Sequence, residues 1–273
     1  MIGLILASAA LAGPCDAPDT GIATGPVTVG FQDGDLGVAR RVCPRTEVAL
    51  AAGGFAIVEV ENFYGHIVAS PTIEGSWAAS DTVELFAAVE AFRYDSVITS
   101  ITTTSMGLGH TSLGATWRFW DNDSVGVGLH GRTVLPTAFG LYKNAWPIAI
   151  DLGVGAQWAA TPTLRVHGNL AGIGSAAISK GPALPWAGAR VNAGVEWQPA
   201  RPFAVVLDVN AGFGYAAPVD HVAAALALRT GIGKRVGIEL GATVPLAGRE
   251  RTLAAGELRV GVLLGPIDGG GAP

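Results

Sequence analysis

From Thr46 to Leu264 the sequence alternates, with residues of one parity apolar and those of the other small or polar. Ile148, Ile150, Leu152, Val154, Ala156 and Trp158 share one parity, against Asp151, Gly153, Gly155 and Gln157 on the other. Ala189, Val191, Ala193, Val195 and Trp197 likewise oppose Arg190, Asn192, Gly194 and Glu196. A period of two sends successive side chains to opposite faces of a strand, so the chain is a series of two-faced strands. About twelve such segments can be marked.

Alternation alone also fits a soluble β-sandwich, and three further features separate the two. The first is an apolar excess. Mean hydropathy is +0.41 with only 14% charged residues, yet no window past the N-terminus holds the ~18–20 consecutive apolar residues of a helical membrane span. The 39 glycines and 16 prolines interrupt any long helix. Apolar surface dispersed over one face of every strand is what a transmembrane barrel requires.

The second is loop length. Connections near Ala79–Asp81, Asp121–Asp123, Ala160–Thr163, Gln198–Pro202 and Gly233–Arg235 are short. Asp95–Gly107, Pro136–Trp146, Ala176–Pro185 and Ala247–Ala254 read as long loops between them. Strict alternation gathers the short turns at one end, as in periplasmic turns opposite extracellular loops. The third is tryptophan placement. Trp77, Trp117, Trp158 and Trp197 all fall on the apolar face within a few residues of a short turn. An indole is an apolar ring with one N–H that favours the headgroup region, so the four are expected to form a membrane-interface girdle.

The expected fold is therefore all-β, an antiparallel up-and-down transmembrane β-barrel over residues 46–264 with about twelve strands. Pairing by Val27–Phe31 and Leu36–Val42 would raise the number to fourteen, and exclusion of Thr46–Val60 would lower it to ten. Residues 1–12 read as a signal peptide, with Ala10-Leu11-Ala12 as the A-x-A cleavage pattern although no Lys or Arg precedes Arg40. Residues 13–45, rich in Gly, Pro and Asp, read as a periplasmic N-terminal segment, and 265–273 as a Gly-rich tail. Cys15 and Cys43 are the only cysteines; in an oxidising compartment they are candidates for a disulfide.

On this register the polar parity lines the lumen. It carries Glu59, Glu74, Glu84, Glu90, Arg118, Arg132, Asp151, Arg165, Arg190, Glu196, Asp208, Arg229, Glu239, Glu257 and Arg259. Such a balanced set either fills a narrow barrel with ion pairs or lines water and tunes selectivity; Arg190 and Asp208, on neighbouring strands, are positioned to pair across the ladder. The five histidines, His66, His110, His130, His167 and His221, share this parity without metal-ligand spacing. No metal or cofactor is expected. No G-x-S-x-G elbow or phosphate-binding loop occurs. A net charge of −5 without a basic stripe argues against nucleic acid.

The segment Gly107-Leu-Gly-His-Thr-Ser-Leu-Gly-Ala-Thr-Trp-Arg-Phe119 resembles the G-L-G-D-x-x-L-G-x-x-x-R-F strand of a family of roughly twelve-stranded bacterial outer-membrane proteins. That family includes channels associated with phenol meta-cleavage pathways. The resemblance implies a passive route for small molecules; His110 stands where the family has Asp, and the last strand, ending at Leu264, lacks the usual terminal aromatic. The expectation is a narrow passive channel in the bacterial outer membrane, not an enzyme, whose partners are outer-membrane lipids, the barrel-assembly machinery and small solutes. A plugged structural or adhesive barrel with interacting loops is the alternative, and an outer-membrane lipid hydrolase the third reading.

Overall fold

The computed structural model describes residues 42–44, 46–59, 64–99, 101–137, 145–179, 186–200, 203–214, 221–232, 236–247 and 256–264. The expected signal peptide, the strand at Val27–Phe31, the strand at Leu36–Val42 as far as residue 41, and the C-terminal tail lie outside these residues. Val42 is described and is not in a strand.

Fourteen strand segments form one antiparallel sheet: β1 (Glu47–Glu59), β2 (Tyr64–Ala78), β3 (Val83–Glu90), β4 (Arg93–Ile98), β5 (Thr102–Gly107), β6 (Thr111–Asp121), β7 (Val125–Leu135), β8 (Ala145–Thr161), β9 (Leu164–Ser179), β10 (Trp186–Ala200), β11 (Phe203–Gly214), β12 (His221–Ile232), β13 (Val236–Ala247) and β14 (Gly256–Leu264). β1 pairs with β2 on one side and with β14 on the other, so the sheet closes on itself. It is a closed barrel of twelve staves, because β3 with β4, and β5 with β6, are each one interrupted strand. β2 pairs with β3 through Thr72–Ala78 and with β4 through Gly65–Ala69. β6 lies against β3, and β5 against β4. Closure leaves no edge along the wall, which is how a sheet meets hydrocarbon without stranding backbone N–H and C=O groups.

The interruption has a local cause. The register between β2 and its neighbour changes by one residue across Ser70 and Pro71, from Ala69↔Tyr94 to Thr72↔Glu90. Pro71 has no N–H to give to a ladder, and a mid-strand proline is accommodated where pairing already breaks into a bulge. Its carbonyl still accepts from Ala91 N at 3.0 Å.

Two of the expected long loops need correction. Ala176–Ser179, read as loop, is the end of β9 and pairs with Ala145–Ile148. Asp95–Gly107, read as a long loop, is mostly strand: β4 and β5 pair as a hairpin from Arg93↔Gly107 to Ile98↔Thr102. β7 stops at Leu135, opposite Thr111, and among the described strands β5 pairs with β4 alone. Thr102, Thr103, Thr104 and Met106 are exposed and Ser105 is half-buried. No apolar parity is required of a strand wetted on both faces, and the hairpin leaves no alternation to read.

The described short turns carry their own side-chain locks. Asn122 Oδ1 accepts from Ser124 N at 2.9 Å and Val125 N at 2.8 Å, an Asx arrangement that replaces ladder bonds at the reversal. Ser80 Oγ accepts from Val83 N at 3.0 Å at the β2–β3 turn. Three staves bulge beside a turn, between Arg118 and Trp120, Ala159 and Thr161, and Trp197 and Ala200.

Candidate functional site

The two parities become two surfaces. Leu113, Leu129, Ile150, Leu152, Leu170, Leu207, Leu240 and Leu258 point outward and are exposed, forming an apolar belt. Trp77, Trp117, Trp158 and Trp197 are also on the outer face, each about half exposed near the turn end; Trp117 packs on Phe119 at 5.8 Å between ring centroids. On the inner parity lie Glu74, Glu84, Glu90, Asp151, Arg165, Glu196, Asp208, Arg229 and Glu239, all buried, with Arg118, Arg132 and Arg190 half-buried. Of the other charged candidates, the side chains of Glu59, Glu257 and Arg259 lie outside what the structure describes, as do those of His66 and His221.

The inner charges are organised as linked groups. Near the turn end, Arg165 Nη1 reaches Glu196 Oε1 at 3.3 Å, Arg229 Nη1 reaches Glu196 Oε2 at 3.2 Å, and Arg229 Nε donates to Glu239 Oε2 at 2.7 Å. This alternating chain of four charges spans β9 to β13. Towards the loop end, Asp151 accepts from Arg190 Nη2 at 2.7 Å and from Arg132 Nη2 at 3.2 Å, with His130 Nε2 3.8 Å from its second oxygen. Arg118 sits at the turn rim instead, donating to the Asp81 carbonyl at 2.8 Å, with Nε 3.5 Å from Asp121.

Asp208 meets His167, with 2.9 Å between Oδ2 and Nε2, across the intervening stave. Gly194 is paired with both in register, and a Cβ there would stand 2.6 Å from His167 Nε2 and 2.8 Å from Asp208 Oδ2. The glycine is the saddle over which the pair joins hands. Gly153 does the same beneath His130, whose Nε2 would lie 2.7 Å from an added Cβ.

At the interruption a carboxylate substitutes for missing ladder. Glu90 and Arg93 are fully buried with 3.6 Å between Oε1 and Nη1, and Glu90 Oε2 accepts from His110 N at 2.9 Å. A buried carboxylate accepting a backbone N–H fills a gap the sheet leaves unpaired. Among the described residues no three metal-type ligands converge.

Two features escaped the sequence reading. The first is a row of amides on the inner face: Asn169, Asn192 and Asn210 occupy successive register positions on β9, β10 and β11. The second is a strap. Val42 and Cys43, in the segment expected to be a periplasmic lead-in, are only 2% and 5% exposed. An inward Cβ on Gly128 would meet Val42 Cγ1 at 3.1 Å, and one on Gly155 would meet Cγ2 at 3.4 Å. Cys43 Sγ lies 3.9 Å from Gln157 Oε1. Three residues on from Cys43, Thr46 Oγ1 accepts from Ala78 N at 3.0 Å, at the base of β2. Val42 and Cys43 therefore lie against the β7–β8 wall, and Thr46 lies against the base of β2. Cys43 is disulfide-bonded; Cys15, the chain's other cysteine, lies outside the described residues.

No protein-family model matches this sequence, and no curated protein matches it. Among solved structures the chain is similar to the NanC porin, at 10% identity and a TM-score of 0.52, over 80% of this chain and 98% of that one. It is also similar to an outer-membrane channel from Pseudomonas putida F1, at 11% identity and a TM-score of 0.56, over 85% and 98%. A third likeness is to the transport unit of the autotransporter AIDA-I from Escherichia coli, at 8% identity and a TM-score of 0.57, over 87% and 95%. At these identities the likeness is one of fold: the chain has the architecture of bacterial outer-membrane barrels.

Proposed function

We propose that this chain is an outer-membrane barrel acting as a narrow passive channel for small molecules. On this reading residues 1–12 direct export, the assembly machinery inserts the barrel with its short turns in the periplasm, and the four tryptophans anchor the turn-side interface. The observation that carries it is the inner face: polar and paired charged groups run from Glu239 near the turns to Asp151 and Arg132 towards the loops, behind an apolar exterior. Two of the structural neighbours are named as a porin and a channel; that support is analogy, since one fold hosts many functions. No catalysis is involved. A lipid hydrolase would need its histidine on the lipid-facing surface, and His110, His130 and His167 all take the inner parity.

A second reading, a plugged structural or adhesive barrel, is favoured by the near-complete burial of inner residues such as Asn210, Arg93 and Glu239. Liposome swelling and planar-bilayer conductance separate the two. The channel reading expects ion current and entry of small neutral solutes into vesicles. A folded, inserted barrel that passes neither is the plugged barrel.

A further inference from the structure

We propose that the strap at Val42 and Cys43 is the constriction that sets the size limit of this channel, an inference that rests on the channel reading above. Strap and wall are shaped for each other. Gly128 and Gly155 occur where inward side chains would otherwise stand, and Val42 takes the space they leave, with one methyl towards each. A side chain at Gly128 would press on it, because an added Cβ there falls inside ordinary contact distance, and one at Gly155 would touch it at 3.4 Å.

The strap crosses the lumen rather than hugging one stave. Its two ends are held on walls that β3 and β6 separate: Cys43 beside Gln157 on β8, and Thr46 at the base of β2. A chord across a barrel removes more cross-section than any side chain projecting from the wall. The pore is thus narrowed by a part that is joined to β1 at one end and held by packing at the other, whereas an arginine or glutamate of the wall is fixed by its stave.

The test is single-channel conductance of the full-length folded protein in planar bilayers, with polyethylene glycols of rising mass as blocking solutes. The parent is compared with Val42→Gly/Cys43→Ser, which loosens the strap, and Val42→Trp, which enlarges it. Folding of each is checked by heat-modifiable gel mobility. The loosened form is expected to conduct about two-fold more or better and admit larger polymers, and the Trp variant less, since flux through a pore is set at its narrowest point. Conduction in the loosened form alone also supports the strap's role. Equal conductance and equal polymer cut-off in all three overturn it and leave the channel reading standing. Absence of current from every folded form overturns the channel reading, and the constriction with it. Should these variants fail to fold, Val42→Ala takes their place: a larger conductance and polymer cut-off than the parent supports the strap, and equal values overturn it.

Discussion

The wall from β8 to β13 and the wall from β2 to β6 solve one problem in two ways. Both bury charge on an inner face. Between β8 and β13 the ladder is regular through the middle of each stave, so partners are found sideways, over one or more staves: Asp151 with Arg190 across β9, His167 with Asp208 across β10, Arg229 with Glu196 across β11. Between β2 and β6 the ladder is broken, and the ion pair runs along the stave itself, Glu90 with Arg93 at i,i+3, while the same carboxylate caps the backbone of the next strand at His110. The lesson is that glycine decides which solution is available. A side chain at Gly194 would close the path between His167 and Asp208. Where the chain has Pro71 instead, the break supplies orphan backbone groups, and charge is drawn to them.

The contrast can be broken at its strongest link first. Arg229→Ala leaves Glu196 and Glu239 buried beside the missing guanidinium, and should lower the free energy of unfolding by about 3–5 kcal/mol, the range for breaking a buried pair from one side. Urea titration in lipid vesicles, followed by tryptophan fluorescence, measures it; a loss below 1 kcal/mol, on the scale of a solvated surface pair, would mean that the sideways network is a wetted surface feature.

Glu90→Ala tests the other wall. It removes both the partner of Arg93 and the acceptor for His110 N, with an expected loss of about 2–3 kcal/mol. Hydrogen exchange should quicken at His110 and Gly109, where the ladder is interrupted, and stay unchanged at β10 and β11. Uniform quickening across the barrel would show that the break is not a separate unit.

The smallest effect is the most specific. Gly194→Ala should cost about 1–3 kcal/mol through overpacking beneath the His167–Asp208 pair. Gly172→Ala, on the next stave with nothing within 4 Å of its added Cβ, should change stability by less than ~0.5 kcal/mol. Equal midpoints for the two variants would remove the saddle.

Much of this architecture is legible in the sequence because a barrel in lipid enforces period two on every stave. The parity that gathers Asp151, Glu196, Arg229 and Glu239 on one face is visible by eye, and so is the placement of Trp158 and Trp197 beside short turns. Which carboxylate meets which arginine is not legible. Arg190 donates to Asp151 at 2.7 Å across β9, and Asp208 meets His167 across β10, partners that alternation alone does not name. That choice depends on the glycines and on the shear of neighbouring strands. The break at Ala91–Phe92 was hidden for a similar reason, since its cause, Pro71, belongs to the partner strand. The burial of Val42 depends on Gly128 and Gly155, more than eighty positions away. Hairpin β4–β5 was illegible because its surroundings impose no alternation.

The closing seam has a consequence for how the molecule comes to exist in time. Every other neighbouring pair of staves is contiguous in sequence and forms as a local hairpin, but Val48 meets Leu264, more than two hundred positions along the chain. Loop-closure entropy makes so non-local a pairing slow and costly to start. The seam spans nine register positions, from Val48↔Leu264 to Ala56↔Gly256, against thirteen between β1 and β2. Until those nine form, the nascent sheet has two bare edges, and whatever chaperones it must occupy both the first strand made and the last.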